Sequence, residues 1–428
     1  MNHLFRYNQQ IEQNEQGSMS AEDVVILEGE VQESVESVAS AAETLQCAEQ
    51  DIMSAGQAVD SLYALADAVE QSVDRNPSTD AVVEVALEHI YQSIGFDKPR
   101  SLSMEAGFAD SVKDKADKIR EHATKILAAI IEAFRKAIEW VKDYVSEATN
   151  AAQRLNKYAK KLRYDLSKSG EIRGNNFTDK SLAKALGDVG QLTKRVENLA
   201  DLVKDASRSS LFGGHIALMN ELIDGYVKAE DKASVETLIK LAMGIPDVLK
   251  KAYDGIFSHE DELIQVSEHY APKGTSTYST DYLPGNYLGV LVLPDGLDTL
   301  NYLSFNIRRD NEEAEKEAGN GVVKALTAKE IKHYLEAVIA ITDDIINFRS
   351  MDGELKRVVA KLTAATEQLK TSPKEMTKED RQMLKAISVM APYVAKGIHS
   401  RVFGHAVQSC QALLKYCVKS MDAQKALA

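Results

Sequence analysis

The chain has 428 residues, of which 44% are apolar and 27% charged, and its formal net charge at pH 7 is −14. This balance is ordinary for a globular protein, and the length is sufficient for two or three domains. The sequence contains no run of about 18 apolar residues, so no membrane-spanning helix is predicted. Residues 1–10 lack the apolar core of a secretory signal. The acidic total argues against a chain that binds nucleic acid throughout its length.

Charge is distributed unevenly along the chain. Residues 1–105 contain 20 acidic and 4 basic residues, which gives this part a net charge of −16. The whole chain has 65 acidic and 51 basic residues, which leaves 45 and 47 for residues 106–428 and a net charge of +2. The boundary falls where Gly95, Pro99 and Gly107 disfavour continuous helix. We therefore predict an acidic helical arm over 1–105 and a helical body over 106–428.

Helical periodicity begins inside the arm. Residues 1–19 are polar and aperiodic, which indicates a mobile arm. A capping-box-like start at 20–23 precedes a helical pattern that runs toward Val73. Small residues dominate this pattern, which favours helical hairpins or a loose coiled coil with a thin core. Pro77 separates it from a second helix, predicted over 80–94.

The clearest periodic signal follows Gly107, where a long amphipathic helix is predicted. Its apolar face comprises Ile119, Ile126, Leu127, Ile130, Phe134, Ile138, Val141 and Val145. Lysines, arginines and interleaved acidic residues occupy the remainder, and Trp140 stands toward the C-terminal end. This pattern is typical of a core helix with a solvated face, or of a basic helix over 113–145 that lies on an anionic membrane. The basic run 157–165 indicates a solvated helix end or a contact with phosphate.

Later segments predict a helical body with one β insertion. Residues 270–310 are rich in Tyr, Thr, Gly and Pro, and two strands are predicted at 287–293 and 300–307 after a turn at 283–286. Further helices are expected over 181–207, 216–227, 234–257, 327–369 (with an interruption at 352–353) and 377–418. A capping box at 327–330 opens the fourth of these, and the last two are predicted to pack antiparallel. The fold class is therefore mainly α, with long amphipathic helices, helical hairpins and one small antiparallel β-hairpin insertion.

Patterns that carry catalysis or bind metals are missing from the sequence. We find no zincin, P-loop, dinucleotide-binding, nucleophile-elbow or paired-cysteine metal motif. The spacing of His399 and His405 is poor for joint ligation, and Asp343 with Asp344 is predicted to be solvated or capping. The three cysteines, Cys47, Cys410 and Cys417, are predicted to be buried thiols in a reducing compartment. We predict no enzyme activity, no cofactor and no metal.

A short motif at the charge boundary indicates proteolytic processing. Ser103, Met104 and Glu105, followed by Ala106, have the form small–any–Glu–small. The same form occurs mostly in predicted helices, whose backbone cannot enter a protease cleft in extended conformation. The tripeptide small–any–Glu also ends at Glu22, Glu36, Glu43, Glu70, Glu88, Glu139, Glu171 and other positions. Because Glu105 lies in a predicted exposed loop, cleavage is predicted between Glu105 and Ala106.

This layout resembles the internal head (inner-body) proteins of giant tailed phages of the phiKZ-like group. The similarity rests on Ser103-Met104-Glu105, on the helix over 125–142, on the turn at 283–286 and on the order of acidic segment and helical body. The resemblance implies a virion protein that lies in the capsid interior close to packaged DNA. It also implies that the prohead protease removes the acidic segment as a propeptide. The other implied partners are capsid and inner-body proteins and, through its helices, further copies of the chain, with assembly in the host cytoplasm.

Two other interpretations stay open. The chain can be a cytosolic helical scaffolding or interaction protein in which residues 1–105 are a permanent partner-binding arm. It can also be a membrane-active effector that uses the helix over 113–145.

Overall fold

The computed structural model describes a set of helices with two small antiparallel sheets. The described residues are 21–71, 77–93, 112–168, 176–207, 275–294, 304–310, 321–348 and 401–423, with single positions at 221, 224, 240, 353, 356, 357, 360, 361, 363 and 364. Helix predominates among them, so the predicted class, mainly α with a small antiparallel β insertion, is confirmed. Apart from single positions, the helices predicted over 216–227 and 234–257 and most of the segment 349–400 lie outside the described residues.

Two helices make up the described part of the acidic segment. Helix α1 spans Ala21–Gln71 and helix α2 spans Pro77–Ser93. The hairpins expected within residues 20–73 do not form, because α1 is one uninterrupted helix of 51 residues. Its small side chains allow another helix to approach closely. A different helix therefore covers α1, and α1 does not fold back on itself.

That partner is helix α3, which spans Val112–Lys168. Two contacts show how the pair is oriented. Arg154 contacts Glu30 near the start of α1, whereas Arg120 contacts Asp67 near its end. Residue numbers rise along α1 as they fall along α3, so the two helices are antiparallel. The long helix predicted after Gly107 is confirmed and continues through the basic run 157–165.

The segment that follows α3 is divided more finely than predicted. Strand β1 spans Phe177–Thr178, helix α4 spans Lys180–Leu186 and helix α5 spans Leu192–Ala206. The sequence predicts one helical stretch over 181–207, but Gly187 interrupts it with a φ of 70°. A Cβ at position 187 would collide with the Asn286 side chain. The break therefore depends on a tertiary contact as well as on the freedom of glycine at positive φ.

A three-stranded antiparallel sheet forms the predicted β insertion. Strand β2 spans Thr275–Ser279, β3 spans Tyr287–Pro294 and β4 spans Ser304–Arg309, in the order β2-β3-β4. The hairpin of β3 and β4 is confirmed, and Leu291 pairs with Phe305. Strand β2 was not predicted, because its sequence Thr-Ser-Thr-Tyr-Ser lacks alternating apolar residues. Pairing with the apolar β3 supplies the burial that β2 does not encode by itself.

The turn at 283–286 fixes this sheet to helices α4 and α5. Gly285 and Asn286 both have positive φ, of 75° and 61°, as a tight hairpin turn requires. The Gly285 amide donates to the Leu186 carbonyl oxygen at 3.0 Å. The buried Arg195 guanidinium donates to the Asn286 side-chain oxygen and lies 5.4 Å from the centre of the Tyr282 ring. The turn that the sequence identifies is therefore a docking point between sheet and helices.

The C-terminal described elements form an antiparallel helix pair. Strand β5, Val322–Val323, pairs with β1 and leads into helix α6, Ala328–Asn347. The predicted capping box is present, since the Thr327 hydroxyl accepts from the Glu330 amide and the Glu330 carboxylate accepts from the Thr327 amide. Residues 401–423 form helix α7. Ring contacts pair Tyr334 with Tyr416 and Phe348 with Phe403. These contacts confirm the antiparallel arrangement.

Candidate functional site

The predicted processing residues Ser103, Met104, Glu105 and Ala106 lie outside the described residues, in the stretch between the end of α2 and the start of α3. Other matches to the same pattern fall within described helices. They include those that end at Glu36, Glu43 and Glu70 in α1, at Glu88 in α2 and at Glu139 in α3. A protease has to open such a helix before it can bind the segment in extended form. This cost of opening a helix disfavours cleavage at these matches.

The acidic segment and the body share one hydrophobic core. Leu62 and Ala66 of α1 have no exposed surface, and neither have Tyr144, Ala148 and Leu155 of α3. Alanines let the two helix backbones approach, and leucine and tyrosine fill the space beside them. Helix α1 is therefore a packed part of the fold, and its loss would uncover apolar surface on α3.

An arginine of α3 holds the C-terminal end of α1. The Arg120 guanidinium donates to the Asp67 carboxylate at 3.2 Å and to the Glu70 carboxylate. It also donates within its own helix to Asp117, at 3.3 Å. The Arg120 side chain is 26% exposed, so solvent screens these ion pairs and each contributes about 1 kcal/mol or less. The cluster therefore sets the register between α1 and α3 and adds little to the free energy of unfolding.

A second set of contacts holds the N-terminal part of α1. The Arg154 guanidinium donates to the Glu30 carbonyl oxygen at 2.8 Å and to the Ser34 hydroxyl at 2.6 Å. One helical turn further along α1, the Ser37 hydroxyl donates to the Glu147 carboxylate at 3.1 Å. The two helices are therefore in contact over most of their length.

The charges of the two paired helices are complementary. Helix α1 contains twelve acidic and no basic residues, whereas α3 contains fourteen basic and eight acidic residues. The contrast is greatest where the start of α1 lies beside the end of α3. Residues 21–37 carry six acidic residues and residues 148–168 carry six basic residues and one acidic residue. The interface between α1 and α3 is therefore the candidate functional site of the described chain.

A buried histidine–serine pair lies in α7. The Ser409 hydroxyl lies 3.3 Å from the His405 Nε2 atom, and the Tyr287 ring covers the imidazole at a centroid distance of 4.6 Å. His405 is 8% exposed and Ser409 5% exposed. Burial lowers the pKa of His405 from 6.5 to about 4. The imidazole is therefore neutral at pH 7 and serves packing.

This burial predicts an acid-sensitive stability. The unfolded chain takes up a proton on His405 below pH 6.5, whereas the folded chain does so only below about 4. Between these values, the contribution of His405 to the free energy of unfolding decreases by about 1.4 kcal/mol for each unit by which the pH is lowered. We expect His405→Gln to remove this part of the pH dependence. Urea unfolding at a series of pH values measures the difference between wild type and variant.

The matched control for this experiment is His333, which lies exposed on α6. His333→Gln removes one histidine without changing the core and should leave the wild-type pH profile. Parallel profiles for wild type and His405→Gln would contradict the prediction.

Other titratable groups are held by packing contacts. Buried Asn156 of α3 donates from its amide nitrogen to the Asp343 carboxylate at 3.0 Å and the Thr342 hydroxyl at 2.8 Å. Asp343 thus has a partner inside the fold, which the sequence did not predict, and burial raises the pKa of its neighbour Asp344. Cys410 and Cys417 are buried free thiols, as predicted. No group of three metal-ligating side chains occurs among the described residues.

Sequence reasoning missed the residues that join the two parts of the chain, above all Arg120 and Arg154. It assigned the charged side chains of α3 to a solvated face. The sequence did contain a signal for this pairing, because α1 has no basic residue and α3 has more basic than acidic residues. It could have been used only with the antiparallel register, which the sequence does not state.

The described helices are structural elements of a helical protein, and none of them is long and apolar enough to cross a membrane. The family model of phiKZ-like phage internal head proteins matches residues 20–419. The chain therefore belongs to the family of phiKZ-like phage internal head proteins, which are structural proteins of the capsid interior. No curated protein and no solved structure matches the chain.

Proposed function

We propose that this chain is the precursor of an internal head protein and that the prohead protease removes residues 1–105 by a cut between Glu105 and Ala106. The observation that carries the proposal is where the charge changes. Acidic α1 and α2 end before the motif, and the basic-rich α3 begins after it. Residues 106–428 are then the mature body, which includes the β insertion within 270–310.

The physical purpose of such a cut follows from charge. The acidic segment repels polyanions and offsets basic groups on α3 while the precursor assembles in the host cytoplasm. Its removal leaves a body with a net charge of +2, which tolerates densely packed DNA. The α3 surface that α1 covers then becomes available to capsid proteins, inner-body proteins or a second copy of the chain.

Peptide mapping of native particles tests this proposal. We expect peptides that begin at Ala106 and very few from residues 1–105. Abundant peptides that run from Arg100 into Ala109 would show an uncut chain and overturn the proposal. N-terminal sequencing of the particle-derived protein gives an independent result.

One observation favours a second candidate, a scaffolding protein with a permanent acidic arm. Helix α1 shares its core with α3 and is held by Arg120 and Arg154, which suits a lasting association. The same peptide map separates the two candidates, because a permanent arm requires residues 1–105 to be as abundant as the body.

A further inference from the structure

The last turns of α3 present a basic stripe to solvent. We define this stripe as Lys157, Lys160, Tyr164 and Lys168, which are spaced three or four residues apart and so share one helix face. The three lysines are exposed and Tyr164 is half-buried. The stripe is about 16 Å long, since an α-helix rises 1.5 Å per residue.

Contacts within the described structure leave the positive charge of the stripe available. Lys157 and Lys160 form no ion pair with another described residue, and the Lys168 ammonium lies 4.1 Å from the centre of the Tyr164 ring. The only acidic residue of α3 after Glu147 is Asp165, which pairs with Lys161 at 3.7 Å. Tyr158, the other tyrosine of this run, is buried in the core.

We propose that this stripe binds the phosphate backbone of double-helical DNA without sequence preference, and that acidic α1 weakens the binding while it remains docked. Duplex DNA carries one charge per about 1.7 Å of axis, so a straight row of cations faces several phosphates at once. No base-reading side chains are required for such a contact. The expectation that processing strengthens DNA binding rests on the cleavage proposed above.

The structure favours DNA over an anionic membrane as the partner. Interfacial helices insert large apolar side chains between lipids, and the exposed large apolar residues of the described chain are Val82, Val85 and Val322. None of these belongs to residues 143–168 of α3, the part that carries the stripe and whose side chains are described. A surface with cations but without an apolar anchor matches a phosphate backbone better than a bilayer.

The position of α1 explains how the stripe is regulated. Because the helices are antiparallel and Glu30 lies at Arg154, residues 21–28 of α1, which contain Glu22, Asp23 and Glu28, run beside the part of α3 where the stripe begins. Negative side chains within a Debye length, about 8 Å at physiological salt, reduce the attraction of the stripe for phosphates. Helix α1 thus acts as a local electrostatic cover for the basic end of α3.

The test measures binding of the full-length chain to short duplex DNA by fluorescence anisotropy at several salt concentrations. The variant Lys157→Gln, Lys160→Gln, Lys168→Gln should reduce the magnitude of the slope of log K against log salt by about 2.7. The matched control Lys184→Gln, Lys329→Gln, Lys332→Gln removes three exposed lysines elsewhere and should retain the wild-type slope. An unchanged slope in the stripe variant overturns the proposal.

Acidic variants test the cover. Glu22→Gln, Asp23→Asn, Glu28→Gln should tighten DNA binding about tenfold at low salt. Glu197→Gln, Asp201→Asn, Glu336→Gln changes the net charge equally on α5 and α6 and should have little effect. Equal effects of the two sets would overturn the regulation by α1. If the stripe variant fails to fold, the comparison of these two acidic sets still tests the proposal.

A lipid control addresses the alternative partner. Sedimentation with vesicles rich in phosphatidylserine should show no dependence on the stripe. Stripe-dependent vesicle binding without DNA binding would overturn the proposal in favour of a membrane contact. All these experiments use the uncut full-length chain without the prohead protease, so their outcome does not depend on whether the chain is cleaved in the particle.

Discussion

Replacing Glu105 with glutamine is expected to abolish processing, so that the full-length chain accumulates. Glutamine retains the size of the side chain but removes its charge. A protease that selects glutamate requires a basic pocket for the carboxylate, and a charge-assisted hydrogen bond in that pocket is about twice as strong as a neutral one. The measurement is the intact mass of the chain after co-expression with the prohead protease.

Two controls show whether the effect belongs to this position. Glu88 lies in α2 and Glu139 in α3, and both end a match to the same pattern. We expect Glu88→Gln and Glu139→Gln to be processed like wild type, because opening a packed helix costs free energy before cleavage can begin. Normal processing of Glu105→Gln, or a cleavage site that lies elsewhere, would contradict the prediction.

Replacing Leu62 with alanine is expected to destabilise the precursor by about 2–5 kcal/mol, because it removes buried methyl groups and leaves a cavity. Leu62 lies in α1 and has no exposed surface. Once residues 1–105 have been removed and have dissociated, the substitution is no longer present in the protein. The loss should therefore be confined to the precursor. Urea unfolding of both forms measures it.

Leu335 provides the matched control, since it is equally buried but lies on α6. Leu335→Ala should destabilise precursor and mature body alike. A precursor that tolerates Leu62→Ala would show that α1 is not packed as described. A Leu62→Ala effect that persists after cleavage would show that α1 stays bound, and would favour the permanent arm. Residues 106–428 expressed alone should unfold cooperatively if they form the mature body.

The cleavage that we propose would not by itself release α1. A cut after Glu105 breaks one peptide bond between α2 and α3 and leaves the contacts of Arg120 and Arg154 with α1 in place. It does remove the covalent link that keeps α1 at high effective concentration beside α3. If the stripe binds DNA as we propose, the phosphates compete with α1 for the basic end of α3 and favour release of the acidic segment.

Some local features were predictable because they depend on neighbours within one or two helical turns. The capping box of Thr327 and Glu330 needs only side chains three residues apart. The turn at 283–286 needs a sequence that tolerates positive φ, and Gly285 and Asn286 provide it. Burial of Cys410 and Cys417 follows from their common face on one helix. In each case the information lies within a short stretch of chain.

Other features depended on which segments meet. Strand β2 forms because β3 lies beside it, and α4 ends at Gly187 where the Asn286 side chain approaches. His405 loses basicity because Tyr287 and the core enclose it. The local sequence pattern predicts neither which residue will lie next to such a group nor how deeply the group will be buried.

The helical class, the β3–β4 hairpin and the change of charge near residue 105 were predictable from the sequence, because periodicity and charge are properties of consecutive residues. The antiparallel pairing of α1 with α3, anchored by Arg120 and Arg154, became evident in the folded chain. An amphipathic helix specifies that one face will be buried but not which helix will bury it. That choice is made by long-range packing and charge complementarity over most of the length of α1 and α3, and it places the acidic segment beside the basic stripe.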